Sequence, residues 1–173
     1  MQYRTFGRTG WPVSDIGYGM WGMAGWTGSD DAESLQSLHK AVELGCTFFD
    51  TAYAYGGGHS EHLLGELVRA HPDKRLYTAS KIPPKNRIWP SQRGFKLDDV
   101  FPADYIREYV LKSLDNLGLD RLDLMQFHVW EDDWAPDESW QRACADLKSE
   151  GLVGAWGISI NRWEPWNGIQ TLR

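Results

Sequence analysis

The sequence is poor in cysteine. Cys46 and Cys144 are the only two thiols in 173 residues, and they lie far apart. Such a pair builds neither a disulfide framework nor a metal site, and it points to a reducing compartment, the cytoplasm. Long apolar runs are missing too, since nothing approaches the ~20 residues that a membrane-spanning helix needs. The first residues, Met1-Gln2-Tyr3-Arg4-Thr5, lack the basic stretch and apolar run of a secretory leader. Cations are in deficit: 18 Lys and Arg against 24 Asp and Glu give a net charge of −6. Neutralising phosphates needs clustered Lys and Arg, so a nucleic-acid partner is not expected. These absences predict a soluble, cytoplasmic chain with neither a nucleic-acid nor a membrane partner.

What is present is ordinary for a globular domain in bulk, with 42% apolar and 24% charged residues, and the length suffices for one real core. Tryptophan is the exception, at ten residues. Some of these serve the core, and others are expected to line a pocket or an interface.

The pattern of elements is regular. Tyr3 to Phe6, a Gly7-Arg8-Thr9-Gly10 turn and Val13 to Ile16 predict a β-hairpin. A brief strand follows from Ile16 into a Gly/Trp loop. Asp30-Asp31-Ala32-Glu33 has the form of a capping box, and Leu35, Leu38 and Val42 give a helical face that Gly45 ends. Thr47 to Phe49 is a strand ending on Asp50, and Ser60 is the expected N-cap of a helix carrying Leu63 to Val68. Leu76 to Lys81 is a strand halted by Pro83-Pro84, and residues 83 to 101 form a long loop, a length usually tied to function. Ile106 to Leu117 is a helix, Leu122 to Phe127 a strand ending at His128, and Trp140 to Leu147 a helix. Val153 to Ile158 is a strand ending at Ser159, and Pro165 to Leu172 is expected to start one more helix.

Strand alternating with helix means parallel strands joined by crossovers, hence an α/β fold. Four successive strands finish on Asp50, Lys81, His128 and Ser159. A closed parallel barrel gathers such ends on one face, whereas a doubly wound sheet strings them along an edge. The barrel is therefore the expected architecture, in a single domain over residues 1–173.

Two motifs invite other readings. Gly17-Tyr18-Gly19-Met20-Trp21-Gly22 fits the dinucleotide fingerprint, but that motif works only where a helix begins on it, and Ala24-Gly25-Trp26-Thr27-Gly28 is no helix. Tyr77 and Lys81 have the Y-x-x-x-K spacing of short-chain dehydrogenases. On a strand, that spacing separates them by ~13 Å, too far for one catalytic pair.

What survives is Asp50, Tyr55, Lys81 and His128, at three strand ends. Here the chain resembles the aldo-keto reductase family. The likeness rests on Phe49-Asp50-Thr51-Ala52-Tyr53-Ala54-Tyr55-Gly56, Glu61, Leu64-Gly65, Ser80-Lys81, Asp123-Leu124-Met125-Gln126-Phe127-His128 and Gly157-Ile158-Ser159. The opening hairpin looks like the family's barrel-bottom hairpin. The resemblance implies a (β/α)8 TIM-barrel type fold and a nicotinamide-dependent oxidoreductase that reduces aldehydes or ketones, or in reverse oxidises an alcohol or sugar. NADPH is expected rather than NADH.

The residue types suit that chemistry. Reducing a carbonyl leaves an alkoxide to be protonated, and a Tyr55 hydroxyl, with a free pKa of ~10, is a poor acid until a nearby ammonium helps it. Lys81 is the expected ammonium, lowering the phenol pKa, and Asp50 the carboxylate that keeps Lys81 charged. The resemblance implies that His128 donates to the substrate carbonyl. It also assigns the cofactor-facing set: the backbone at Met20, Trp21 and Gly22, together with Asp50, Ser159 and Asn161. Family members commonly place the Ser and Asn side by side, whereas Ile160 separates them here. Trp21, Trp89 and Trp130 are expected around the substrate. The bland alternatives are a buried Asp50–Lys81 structural pair, Tyr55 as a loop aromatic with Tyr53 in its place, a structural His128, and tryptophans in the core.

A full family barrel has eight strand–helix units, and five barrel strands are legible in this sequence. The expectation is therefore a barrel truncated after about its fifth strand, weak in NADPH binding or dependent on a complementing segment. The competing readings are a non-catalytic binding module on the same scaffold and an inactive remnant.

Overall fold

The computed structural model describes residues 1–25, 28–160 and 166–171. The chain opens with a hairpin of β1 (Tyr3–Thr5) and β2 (Pro12–Ser14), paired antiparallel with Arg4 opposite Val13. Its turn closes on Gly10 in the left-handed region at φ 74°, where a side chain would be strained. Ser14 and Thr47 exchange hydrogen bonds, each backbone N–H donating to the other's hydroxyl at 2.9 and 3.0 Å. Trp11 stacks on Tyr77 with ring centroids 5.4 Å apart. The hairpin is thereby fastened across the N-terminal ends of the strands that follow.

Those strands are β3 (Tyr18–Gly19), β4 (Phe48–Asp50), β5 (Tyr77–Ile82), β6 (Leu122–Phe127) and β7 (Val153–Ile158). They form one sheet in the order β3-β4-β5-β6-β7, and every pairing is parallel. Sequence neighbours are thus sheet neighbours, the progression of a barrel wall rather than of a doubly wound sheet, which reverses at a switch point. All six residues of β5 are buried. Strands buried on both faces read as near-continuous apolar runs.

The crossovers are α1 (Asp31–Glu43), α2 (His59–Ala70), the single turn α3 (Leu97–Val100) with α4 (Ala103–Leu117), and α5 (Glu138–Ser149). Consecutive long helices pack side by side: α1 on α2, α2 on α4 and α4 on α5. At α1 the expected cap holds, with Asp30 accepting from the Glu33 N–H at 3.1 Å. At Gly65 a Cβ would lie 2.2 Å from the Leu117 carbonyl oxygen, so α2 and α4 approach as closely as a glycine permits. The same oxygen accepts from Arg69 at 2.9 Å, which satisfies one of the orphan carbonyls at the end of α4. Leu38, Phe49, Leu64, Leu67, Ile106, Leu117 and Phe127 are buried between helices and sheet. Each such side chain contributes roughly 1.5–3 kcal/mol of transfer free energy.

Three expectations need correction. Ser60 does not cap α2: the cap position is Gly58, at φ 101°, and Ser60 lies inside the helix. Its hydroxyl donates to the Met20 carbonyl at 3.2 Å and accepts from Thr51 at 2.8 Å, which is worth more there than at an exposed cap. The long loop after β5 contains α3. At the C-terminal end, residues 166–171 form turns rather than helix, with Pro165 and Leu172 outside the described residues. Trp21–Met23 forms a 3-10 turn, so no α-helix begins on the glycine motif before it.

Candidate active site

Each side chain of the quartet is delivered by a strand end. Asp50 closes β4, and its carbonyl accepts from the Met20 N–H at 2.9 Å, which joins the β3 loop to the same spot. Lys81 sits one residue from the end of β5 with only 8% of its side chain exposed, while Asp50 keeps 34%. The Lys81 ammonium donates to Asp50 Oδ1 and to the Thr51 carbonyl, the latter at 2.7 Å. A buried ammonium needs such company, since an unpaired one costs several kcal/mol. His128 follows β6 directly, and its backbone N–H donates to Ile82 at 3.0 Å, continuing the ladder one step past the strand.

Tyr55 comes from the turn after β4. The Lys81 ammonium lies 5.1 Å from its ring centroid. The His128 ring meets Tyr55 edge-on at 5.8 Å and Trp89 edge-on, also at 5.8 Å. The structure thus brings Asp50, Tyr55, Lys81, His128 and Trp89 together.

The electrostatics differ from expectation at one point. Burial, and secondly the Asp50 carboxylate, push the Tyr55 phenol up to about 12. The net shift is thus upward, opposite to the anticipated lowering, because burial and the Asp50 carboxylate outweigh the help of the ammonium. Tyr55 therefore carries its proton throughout the neutral range. His128 moves the other way, lowered to about 4, by burial first and the Lys81 charge second. It is neutral near pH 7. Its Nδ1 is buried and has no hydrogen-bond partner among the described residues. An orphan acceptor is cheaper than an orphan donor, so the proton belongs on Nε2, which makes that nitrogen the donor.

The remaining expected site residues are spread wider. Met20 departs from expectation: it is fully buried, with its backbone N–H on the Asp50 carbonyl and its own carbonyl taken by Ser60, whereas Trp21 is 59% exposed. A Cβ at Gly19 or Gly22 would meet open space, which leaves the backbone at those glycines approachable. Ser159 follows β7 and donates its N–H to Phe127 at 2.8 Å. Asn161 lies outside the described residues. Trp130 departs from expectation: it is 1% exposed, packed among Phe127, Trp134 and Trp140, with its indole N–H on Thr171 at 2.7 Å. An indole gains more from filling this aromatic cluster than from lining a wet cleft.

One neighbour of the quartet was not singled out in the sequence. Gln126 Nε2 donates to Asp50 Oδ2 at 3.1 Å. Its signal was visible, as a polar residue in the apolar run of β6 at the same parity as His128. Among the described residues, no group of three or more His, Cys, Asp or Glu is placed to hold a metal.

A parallel strand–helix wall whose C-terminal strand ends converge on a tyrosine, a paired lysine and a neutral histidine defines a barrel-type α/β scaffold with a candidate site on one face. Residues 15–171 match the Aldo/keto reductase family, and the chain belongs to it. It is 32% identical over 162 residues to Aldo-keto reductase YhdN of Bacillus subtilis, covering 92% of this chain and 47% of that protein. It is 34% identical over 168 residues to 6-dehydroglucose reductase of Novosphingobium aromaticivorans, covering 91% and 51%. Among solved structures, an aldo-keto reductase from Klebsiella pneumoniae in complex with NADPH superposes with a TM-score of 0.68 at 26% identity, covering 91% of this chain and 49% of that one. The chain spans about half the length of the curated relatives it matches. Its five-stranded parallel sheet is the corresponding part of their barrel.

Proposed function

We propose that this chain carries the proton-delivering centre of an NADPH-dependent oxidoreductase that reduces an aldehyde or ketone, or runs in reverse on an alcohol or sugar. The observation that supports this most is the Lys81 ammonium, held by Asp50 and set 5.1 Å from the Tyr55 ring centroid. NADPH, when bound, supplies the hydride. Tyr55 Oη gives its proton to the carbonyl oxygen, and the ammonium 5.1 Å from the ring centroid offsets the phenolate charge left behind. His128 Nε2–H donates to the same oxygen and orients it. The open backbone at Trp21–Gly22, the exposed part of Asp50, and Ser159 with Asn161 are the residues that would hold the nicotinamide and its ribose. Exposed Trp21 and Trp89 offer flat apolar faces, compatible with a sugar or a small aromatic carbonyl.

A fluorescence titration of NADPH, followed by its oxidation with an aromatic aldehyde, tests the reading. Tyr55→Phe should lower turnover by about 10²–10⁴-fold with cofactor affinity unchanged. Full activity in that variant would remove Tyr55 from the mechanism. A second reading has its own support, because five strands are about half of the relatives' length. In that reading the chain holds the proton-delivering residues and needs a complementing segment to retain cofactor. Titration in the presence of the C-terminal half of a relative separates the two.

A further inference from the structure

The Asp50 carboxylate has two oxygens, and Lys81 takes only one of them. The other accepts from Gln126 Nε2 at 3.1 Å. A carboxylate can accept but not donate, so the Gln126 amide must present its NH2 to Asp50 and turn its carbonyl away. Gln126 lies between Lys81 and Gly157 in the sheet register, directly opposite each across β5–β6 and β6–β7. Gly157 is what makes room: a Cβ there would sit 3.2 Å from Gln126 Cγ and 3.7 Å from its Oε1. The side chain is thus seated in a space that its neighbour strand leaves open.

We infer that Gln126 is a positioning residue for the Lys81–Asp50 pair, acting by fixing the carboxylate plane so that Oδ1 stays on the ammonium under Tyr55. This rests on the function proposed above. A carboxylate held by one donor can swing about its χ2 axis, since terminal sp³–sp² torsions are broad. Asp50 keeps 34% of its side chain exposed, so solvent offers it alternatives. With both oxygens claimed, rotation must break two charge-assisted bonds together. Gln126 carries no charge, so it orients the carboxylate without competing for the Lys81 proton.

The experiment reads Lys81 directly and needs no turnover. The intact chain is labelled with an amine-acetylating reagent, and site-specific rates are taken by mass spectrometry, with Lys85 and Lys96 as internal controls. In the parent, Lys81 should react slowly. In Gln126→Leu its rate should rise about tenfold, with the controls and the melting temperature little changed, since a hydrogen bond to a charged group is worth about that factor. Gln126→Asn, which keeps a donor on a shorter arm, should recover part of the protection. An unchanged Lys81 rate in Gln126→Leu overturns the inference. So does a rise shared by all three lysines, which would mark general loosening. Where NADPH oxidation is measurable, Gln126→Leu should lower kcat and leave KM near the parent value. Failure of Tyr55→Phe to matter would instead strike the proposed reaction, leaving the labelling result standing.

Discussion

His128 shows how one residue records its surroundings. Its imidazole is lowered to about 4 by burial and by Lys81, against an ordinary value of 6.5. The unfolded chain therefore binds a proton at His128 that the folded chain refuses. The folded-state pKa is depressed, so stability is fully present above pH 6.5 and is lost as pH falls through 4. The full shift corresponds to about 3 kcal/mol. Melting temperatures measured between pH 7 and 4 should fall more steeply for the parent than for His128→Asn. Parallel curves would show that the imidazole is not desolvated. Tyr55 has the opposite sign: raised to about 12, it contributes stability that is present below pH 10 and lost as pH rises toward 12.

At the scale of elements, α2 and α4 meet at Gly65 with no room for a side chain. Gly65→Ala would drive a methyl into the Leu117 carbonyl, backbone against backbone, with Arg69 already bonded to the same oxygen. Overpacking of this kind costs about 2 kcal/mol, or roughly 5 °C in a chain of this size. Calorimetry checks it, and an unchanged melting temperature would mean that α2 and α4 slide apart freely. Elements were also where the sequence was most readable. Alternation of strand and helix, the Asp30 cap and the glycines ending helices are local signals, and each strand appeared within a residue or two. Ser60 was misread because its partners, Met20 and Thr51, are distant or lie across a turn, and no local pattern reports them. Trp130 was misread for a related reason, since its strand-end position matches a pocket residue while its burial depends on Trp134, Trp140 and Thr171. In the candidate site, residue identities were legible. The sign of the Tyr55 shift was not, because it depends on how far the fold buries the phenol and how near it brings the Asp50 carboxylate.

At the scale of the molecule, a parallel sheet ends on β3 and β7, and neither outer edge has a strand partner among the described residues. An unpaired edge is a template for association. Net charge −6 opposes it by mutual repulsion. That repulsion fades as pH approaches the isoelectric point near 5.3. Light scattering should therefore rise as the chain is taken from pH 8 toward 5.5, and 0.5 M salt at pH 8 should produce part of the same rise. Scattering that stays flat across both series would show that the edges are protected.

β5 is buried at every residue and flanked by a strand on each side. Its amides are the last that water can reach, so local opening reaches them only after the edges have frayed. Lys81 rides on that strand. A molecule that has lost β3, β7 or the turns after residue 166 to fluctuation still holds its ammonium in place, so the loops around that charge can be remodelled by motion or by mutation while the charge itself stays put.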